Sequence, residues 1–208
     1  DTAVSTYALI RDETAERKAA TFLLGDNLER TTQGGGIYTY TSQQGAAAFR
    51  DTGSFDAAGS LSQENAEAFC RDFCKAFSYD TPIFTLDETG SGTATAVRLW
   101  SGTPVFNAAV TFTIDQGRVL SASGALLPET GAETSSGQKP LSAFAALTAF
   151  QQMRHASSSV VSSITEVSLC YELQSTTAAP MALVPSWRIV TDTATFYVNC
   201  ISGTVRRA

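Results

Sequence analysis

Histidine is almost missing from this chain. His155 is the only one, which excludes multi-histidine metal centres and leaves any Ser- or Cys-based triad dependent on one residue. It ends a helical pattern beside Arg154, where a cation interacts well with the helix dipole, and is read as a structural or surface residue. Basic residues are scarce too: 14 Lys and Arg against 20 Asp and Glu give a net charge of −6. No basic stripe exists to neutralise several phosphates, which speaks against nucleic acid as a partner. No run reaches the ~18 apolar residues that span a bilayer, and no charged-then-apolar leader is present. The chain begins at Asp1 rather than Met; the expectation is a signal or anchor helix upstream, through which alone a membrane would be reached. HExxH, GxSxG, GxGxxG and the EF-hand loop are absent as well, so the chain is read as non-enzymatic, with no cofactor and no metal.

Cysteine is limited to Cys70, Cys74, Cys170 and Cys200. The CxxxC of Cys70 and Cys74 falls inside a helical pattern, without the turn that zinc knuckles use. Cys170 and Cys200 fall in predicted strands. The four are read as buried structural thiols, with a disulfide between Cys170 and Cys200 left open. The carboxylates that lie close in sequence, Asp87 with Glu88 and Glu129 with Glu133, have no aromatic sugar platform beside them and are read as solvated loop acids.

What is present is a 43% hydrophobic, low-charge chain of 208 residues, enough for real cores. Helical spacing of Ala15, Ala19, Phe22 and Leu23 predicts a helix over 12–24, closed by Gly25. The loop 26–36 ends in three glycines and reads as a flexible connection, since no GxxxxGK[ST] pattern accompanies them. Residues 37–41 and 46–49 predict a hairpin in which Gly45 takes the left-handed position, followed by a short strand at 54–58. The clearest helix is 62–77, where Ala66, Phe69, Cys70, Phe73, Cys74 and Phe77 share one face; Ser60 or Ser62 is the expected cap, with Ser60 and Gln63 at capping-box spacing. Strands follow at 83–86, 93–100, 104–114 and 118–123. A polar linker is expected at 128–139, then a helix opened by Pro140 and carrying Leu141, Phe144, Leu147, Phe150 and Met153. After the loop Ser157–Ser159 come a strand at 164–173, a flexible connection at 174–182, and the closing stretch LVPSWRIVTDTATFYVNCISGTVRR, Leu183 to Arg207.

Three hairpins share an outline of aromatic strand, polar turn, Gly and short strand: Tyr38 to Phe49, Val110 to Leu120 and Thr195 to Val205. Each follows a predicted helix, as in chains built by repeating one supersecondary unit. The fold class expected is therefore α+β, with tandem units of one helix packed on an antiparallel sheet of three to four strands. The expected divisions are 1–60, 61–127, a linker at 128–139, and 140–208.

Val184, Pro185, Trp187 and Ile189, then Phe196, Tyr197, Val198 and Asn199, then Gly203 and Val205, form a pattern that resembles the end of YycI and YycH type regulatory proteins and related PepSY-like, cystatin-like repeats. The segment FNAAVTFTIDQGRV joins the resemblance, which extends over most of the chain through short hydrophobic motifs. It implies an extracytoplasmic, membrane-anchored or secreted module of a two-component system. Such a module tunes a membrane sensor kinase by contact with it, or with a paralogous regulator, rather than by catalysis.

The leading functional expectation is a regulatory binding module that meets a protein partner through a sheet face or an exposed edge. Trp187, Arg188 and Trp100 are the candidate partner or ligand contacts. The alternatives are a small-ligand carrier or sensor, with a cavity lined by Phe69, Phe73, Phe112 and Trp100 in place of a filled core, and a peptidase-inhibitor-like module.

Overall fold

Asp12 ends an extended segment and starts the first helix, its carboxylate accepting from the N–H groups of Thr14 at 2.9 Å and Ala15 at 3.0 Å. The computed structural model describes residues 4–62, 64–134, 139–157, 161–175 and 179–208. Among these residues it is a mixed α+β structure with three helices. In chain order the elements are β1 (Tyr7–Leu9), α1 (Glu13–Leu24), β2 (Glu29–Thr32), β3 (Tyr38–Ser42), β4 (Gly45–Phe49), β5 (Ser54–Gly59), α2 (Ala66–Ala76), β6 (Ile83–Leu86), β7 (Gly92–Trp100), β8 (Thr103–Asp115) and β9 (Arg118–Ala125). They continue as β10 (Gly131–Glu133), α3 (Ala143–Ser157), β11 (Ile164–Gln174), β12 (Met181–Thr191), β13 (Thr195–Asn199) and β14 (Val205–Arg207). The chain divides into two compact units, Leu9–Thr130 and Asp1–Ala8 with Gly131–Ala208. The segments 1–60 and 61–127 largely share the first of these, because β5 pairs with β9.

In the Leu9–Thr130 unit the strands run β6-β7-β8-β9-β5-β4-β3-β2, each pair antiparallel. One row of register partners crosses this sheet as Phe84, Ala94, Phe112, Ala122, Ala57, Ala47 and Tyr40. The alanines leave room for helices on that face. Phe22 of α1 meets Phe69, Phe73 and Phe77 of α2 edge-on, at centroid distances of 5.2, 5.4 and 6.1 Å, and the core gathers around these rings. The neighbouring row, Ile83, Thr95, Thr111, Ser123, Asp56, Ala48 and Thr39, is the polar face that strict alternation demands.

In the second unit β12 pairs along its length with β11, and its other edge is shared by β13, over Ser186–Val190, and β1, which in turn pairs with β10. Helix α3 lies on β13 and β14 and buries Ala146 and Phe150 against Ile189, Phe196 and Val198.

Several local expectations are corrected. The stretch 26–36 holds the edge strand β2, whose four residues are all exposed and so carry no apolar alternation; its glycines form the β2–β3 turn, with Ile37 N–H bonded to Gly34 O at 3.1 Å. Gly45 does take a positive φ, 153°, though far from the left-handed helical well, and a Cβ there would stand 2.2 Å from Ala58 O, so both the backbone angle and the close approach to β5 require glycine. Helix α2 starts later than expected, capped by Asn65, whose side chain accepts from Ala68 N–H at 3.1 Å. The Ser62 hydroxyl instead donates to Glu64 O at 2.7 Å, and Gln63 lies outside the described residues.

The expected linker contains β10, with Thr134 N–H bonded to Thr6 O at 2.8 Å; residues 135–138 lie outside the described residues. Helix α3 begins after Ser142, whose hydroxyl accepts from Ala145 N–H at 3.2 Å. Phe144 is 80% exposed rather than on the core face, being one residue from the start of a helix whose buried face runs through Ala146 and Phe150. Ser157 ends α3, and Ser158 and Ser159 lie outside the described residues. β12 begins inside the connection expected at 174–182, of which 176–178 are likewise outside.

Candidate functional site

The two ends of the Leu9–Thr130 sheet differ in chemistry. At one end β2 offers Glu29, Arg30, Thr31 and Thr32, a polar and charged strand of the kind that keeps an edge from pairing further. At the other end β6 reads Ile-Phe-Thr-Leu and, among the described residues, pairs only with β7. Ile83 is 75% exposed and Leu86 36%. In an antiparallel pair alternate residues turn their N–H and C=O to the neighbour, so the others on β6 turn theirs outward.

The edge is held firmly. Pro82 before it is buried, Asp80 N–H donates to Val97 O at 2.8 Å, and the half-buried Phe84 packs on the core beneath the Arg71 guanidinium, 5.2 Å from its ring centroid. At the far end Asp87 accepts from Thr89 Oγ1 at 2.7 Å, Thr89 N–H at 2.8 Å and Ser91 N–H at 3.0 Å. Those hydrogen bonds, led by the one from the Thr89 side chain, hold its pKa below the ordinary carboxylate value. β6 is thus a firmly held, largely apolar strand, paired with β7 on one side and, among the described residues, unpaired along its outer edge.

The residues selected from sequence lie elsewhere. Trp100 is buried in the Leu9–Thr130 unit, its indole N–H donating to Pro128 O at 3.1 Å. Trp187 and Arg188 are neighbours on β12 and therefore face opposite ways. Trp187 packs on the α3 core and donates to Leu141 O at 2.8 Å. Arg188 bonds Glu166 at 2.9 Å across from β11, on the face that also carries Tyr197 and Arg206. Phe73 and Phe112 are sealed from solvent with their rings 5.5 Å apart, and Phe69 meets Phe112 at 6.5 Å. That space is filled core rather than a ligand cavity.

Among the buried polar groupings that escaped the sequence reading, two centre on Arg98 and Glu172. Arg98 is fully buried; its guanidinium donates to Phe77 O, to Leu127 O at 2.9 Å and to Glu129 at 2.9 Å. Glu129 is therefore not a free loop acid. The signal was phase, because Ala94, Ala96, Arg98 and Trp100 all fall on inward positions of β7. In the other unit Glu172 is 2% exposed, accepts from the Ser186 hydroxyl at 2.8 Å and pairs with Arg206. Cys170 lies beside this group, its thiol on Ser186 O at 3.3 Å.

All four cysteines are free and buried. Burial pushes each thiol up to about 12, far from a reactive thiolate. Cys170 pairs in register with Ser186, and Ser186 with Asn199. Cys170 and Cys200, between which the sequence left a disulfide open, are both free thiols. Among the described residues no cluster of His, Cys, Asp or Glu is placed to hold a metal ion, and no helix is long and apolar enough to cross a membrane. His155 is exposed in the last turn of α3.

No family model and no curated protein matches the chain. Among solved structures, an uncharacterized protein from Eubacterium rectale ATCC 33656 is 13% identical, with a TM-score of 0.53 over 98% of this chain and 81% of that one. The YpeB C-terminal domain of Bacillus megaterium is 13% identical, with a TM-score of 0.43 over 96% of this chain and 98% of that one. The Eubacterium protein shares the fold.

Proposed function

We propose that this chain is a non-enzymatic binding module that receives an extended segment of a partner protein as an added strand along β6. One observation carries the reading: a strand with Ile83 75% exposed forms an edge free of the charges that blunt the opposite edge, β2. Strand addition draws affinity from backbone hydrogen bonds and specificity from alternate side chains. Ile83 and the Phe84–Leu86 side would read the two faces of the incoming segment.

Asp80 at one end of β6 and Asp87 with Glu88 at the other are exposed, so the segment sought has an apolar centre and basic flanks. The YycI-like pattern in 184–205 makes the extracytoplasmic part of a sensor kinase the first partner to try, in a regulatory, extracytoplasmic role. The segments 1–60, 61–127 and 140–208 are proposed as diverged copies of one unit, a reading supported by the four strands that follow the helix within each segment, β10 lying between the second and third.

The test is selection of peptides from a random display library on the folded chain, followed by hydrogen exchange. Extended peptides with a β-branched or aromatic centre are expected, with slowed exchange at β6 amides. Ile83→Lys should abolish binding, while Leu120→Lys, an exposed apolar position on β9, should leave it intact. Peptides that bind Ile83→Lys as tightly as the parent chain would remove β6 from the interface and the proposal with it.

A further inference from the structure

A groove of about 290 Å³ opens in the Leu9–Thr130 unit between α1 and the β2–β3 hairpin, lined by Glu13, Thr14, Arg17, Leu28, Arg30 and Tyr40. We propose that it binds a small organic monocarboxylate with a compact apolar tail. This site is separate from β6 and does not depend on the strand-addition reading.

The floor is largely apolar, with the Tyr40 hydroxyl bonded to Arg30. Tyr40 is 2% exposed and Leu28 is half-buried against the core. The rim carries two guanidiniums against one carboxylate, on a chain whose net charge is −6. The two arginines are not equivalent. Arg30 is fixed by Glu13 at 2.8 Å and lies over the Tyr38 ring, 4.7 Å from its centroid. Glu13 in turn accepts from the Tyr38 hydroxyl at 3.1 Å, and these bonds, first the one from Arg30, hold its pKa low.

Glu13 and Arg30 therefore neutralise each other and stiffen one wall. Arg17 is exposed and has no ion pair or side-chain hydrogen bond among the described residues. It is the cation left to meet a ligand, with Thr14 one turn before it on α1 to supply a hydroxyl. The first N–H groups of α1 are already taken by Asp12, so the helix end itself is not the anion site.

The charge balance selects the class of anion. A phosphate monoester brings about −1.5 to −2 charges at neutral pH, against a single net positive charge and the fixed Glu13 carboxylate. A carboxylate brings one, in a planar shape that a guanidinium meets with two parallel bonds. The volume sits at the small end of ligand sites, which limits the tail to about the size of an aromatic ring or a short aliphatic chain.

The experiment uses the full chain and three probes, phenylacetate, phenylacetamide and phenyl phosphate, followed by calorimetry and backbone amide shifts. Phenylacetate should bind saturably and shift Thr14, Arg17, Leu28 and Tyr40. The neutral amide should bind about tenfold or more weakly, since a charge-assisted contact is lost. Arg17→Gln should weaken phenylacetate by a similar factor with unchanged melting behaviour, and Lys18→Gln, whose residue is outside the groove, should not. The proposal is overturned if phenylacetamide or phenyl phosphate binds as well as phenylacetate, if Arg17→Gln binds like the parent, or if no probe saturates the groove.

Discussion

Arg98 and Glu129 form an ion pair at 2.9 Å in which the arginine side chain is 1% exposed and the carboxylate 66%. The pair is unequal. Arg98 also caps Phe77 O, at the end of α2, and Leu127 O, past the end of β9. One guanidinium thus fastens the helix terminus and the chain beyond β9 to β7, and a cation suits the negative end of the helix dipole. The Tyr79 ring lies 5.6 Å away.

Removing the two partners should therefore cost different amounts. Arg98→Ala orphans two buried carbonyls and opens a large cavity, a loss of about 3 kcal/mol or more. Glu129→Gln leaves the guanidinium two carbonyl acceptors and a solvent-facing amide, so solvent screening limits the loss to about 1 kcal/mol. Urea midpoints measure both. Equal losses would mean that the ion pair, not the carbonyl capping, is the source of stability.

Glu172 and Arg206 reverse the arrangement, with the carboxylate 3% exposed and the guanidinium 46%. Arg206→Ala strands a buried carboxylate that, among the described residues, keeps only the Ser186 hydroxyl for support. The expected loss is about 2 to 3 kcal/mol, below that of a wholly buried pair because half of the cation is already in water. Pairing Arg206→Ala with Glu172→Met in a double-mutant cycle should recover much of it. Hydrogen exchange in β14 should speed up in the single variant, since Arg206 is that strand's anchor. No change in β14 exchange would show that its pairing with β13 suffices.

The parts legible in the sequence were those encoded locally. The α2 stripe from Ala66 to Phe77 and the hairpins at 38–49 and 110–120 follow from spacing and turn residues within a dozen positions. What was missed depends on distant partners. β2 has no apolar alternation, and only its pairing with β3 makes it a strand. Glu172 sits in an otherwise apolar LCYEL run, a local oddity whose meaning waits on Ser186 and Arg206 from later strands. Trp187 and Arg188 looked like one contact patch in sequence; strand alternation puts them on opposite faces. β6 is legible as a strand, but no residue in it announces that, among the described residues, its outer edge has no partner.

The four cysteines make stability fall at alkaline pH. Their folded pKa values, about 12, are raised by burial from an ordinary value of 9.0. The stability they contribute is fully present below pH 9.0 and is lost as pH rises toward 12, because the unfolded chain gives up its thiol protons first. Melting temperature should hold to about pH 9 and then drop steeply. Cys70→Ala with Cys170→Ala should flatten that drop even if it lowers the plateau. A thiol reagent at neutral pH should modify the four only as fast as the chain opens. Rapid modification of the folded chain would contradict their burial.

Asn65 joins two requirements in one residue, since its φ is 53° and its side chain accepts from Ala68 N–H at 3.1 Å. Helix propensity alone would favour alanine over glycine here. The backbone says otherwise. Asn65→Gly keeps the left-handed conformation open and gives up only the cap bond, a loss of a few tenths of a kcal/mol. Asn65→Ala gives up the bond and forces a Cβ into the left-handed region, about 2 kcal/mol together. Urea denaturation should rank the parent first, then Asn65→Gly, then Asn65→Ala, with exchange in the first turn of α2 following the same order. Alanine above glycine would mean that the helix starts with ordinary backbone angles and that Asn65 caps it in a different geometry.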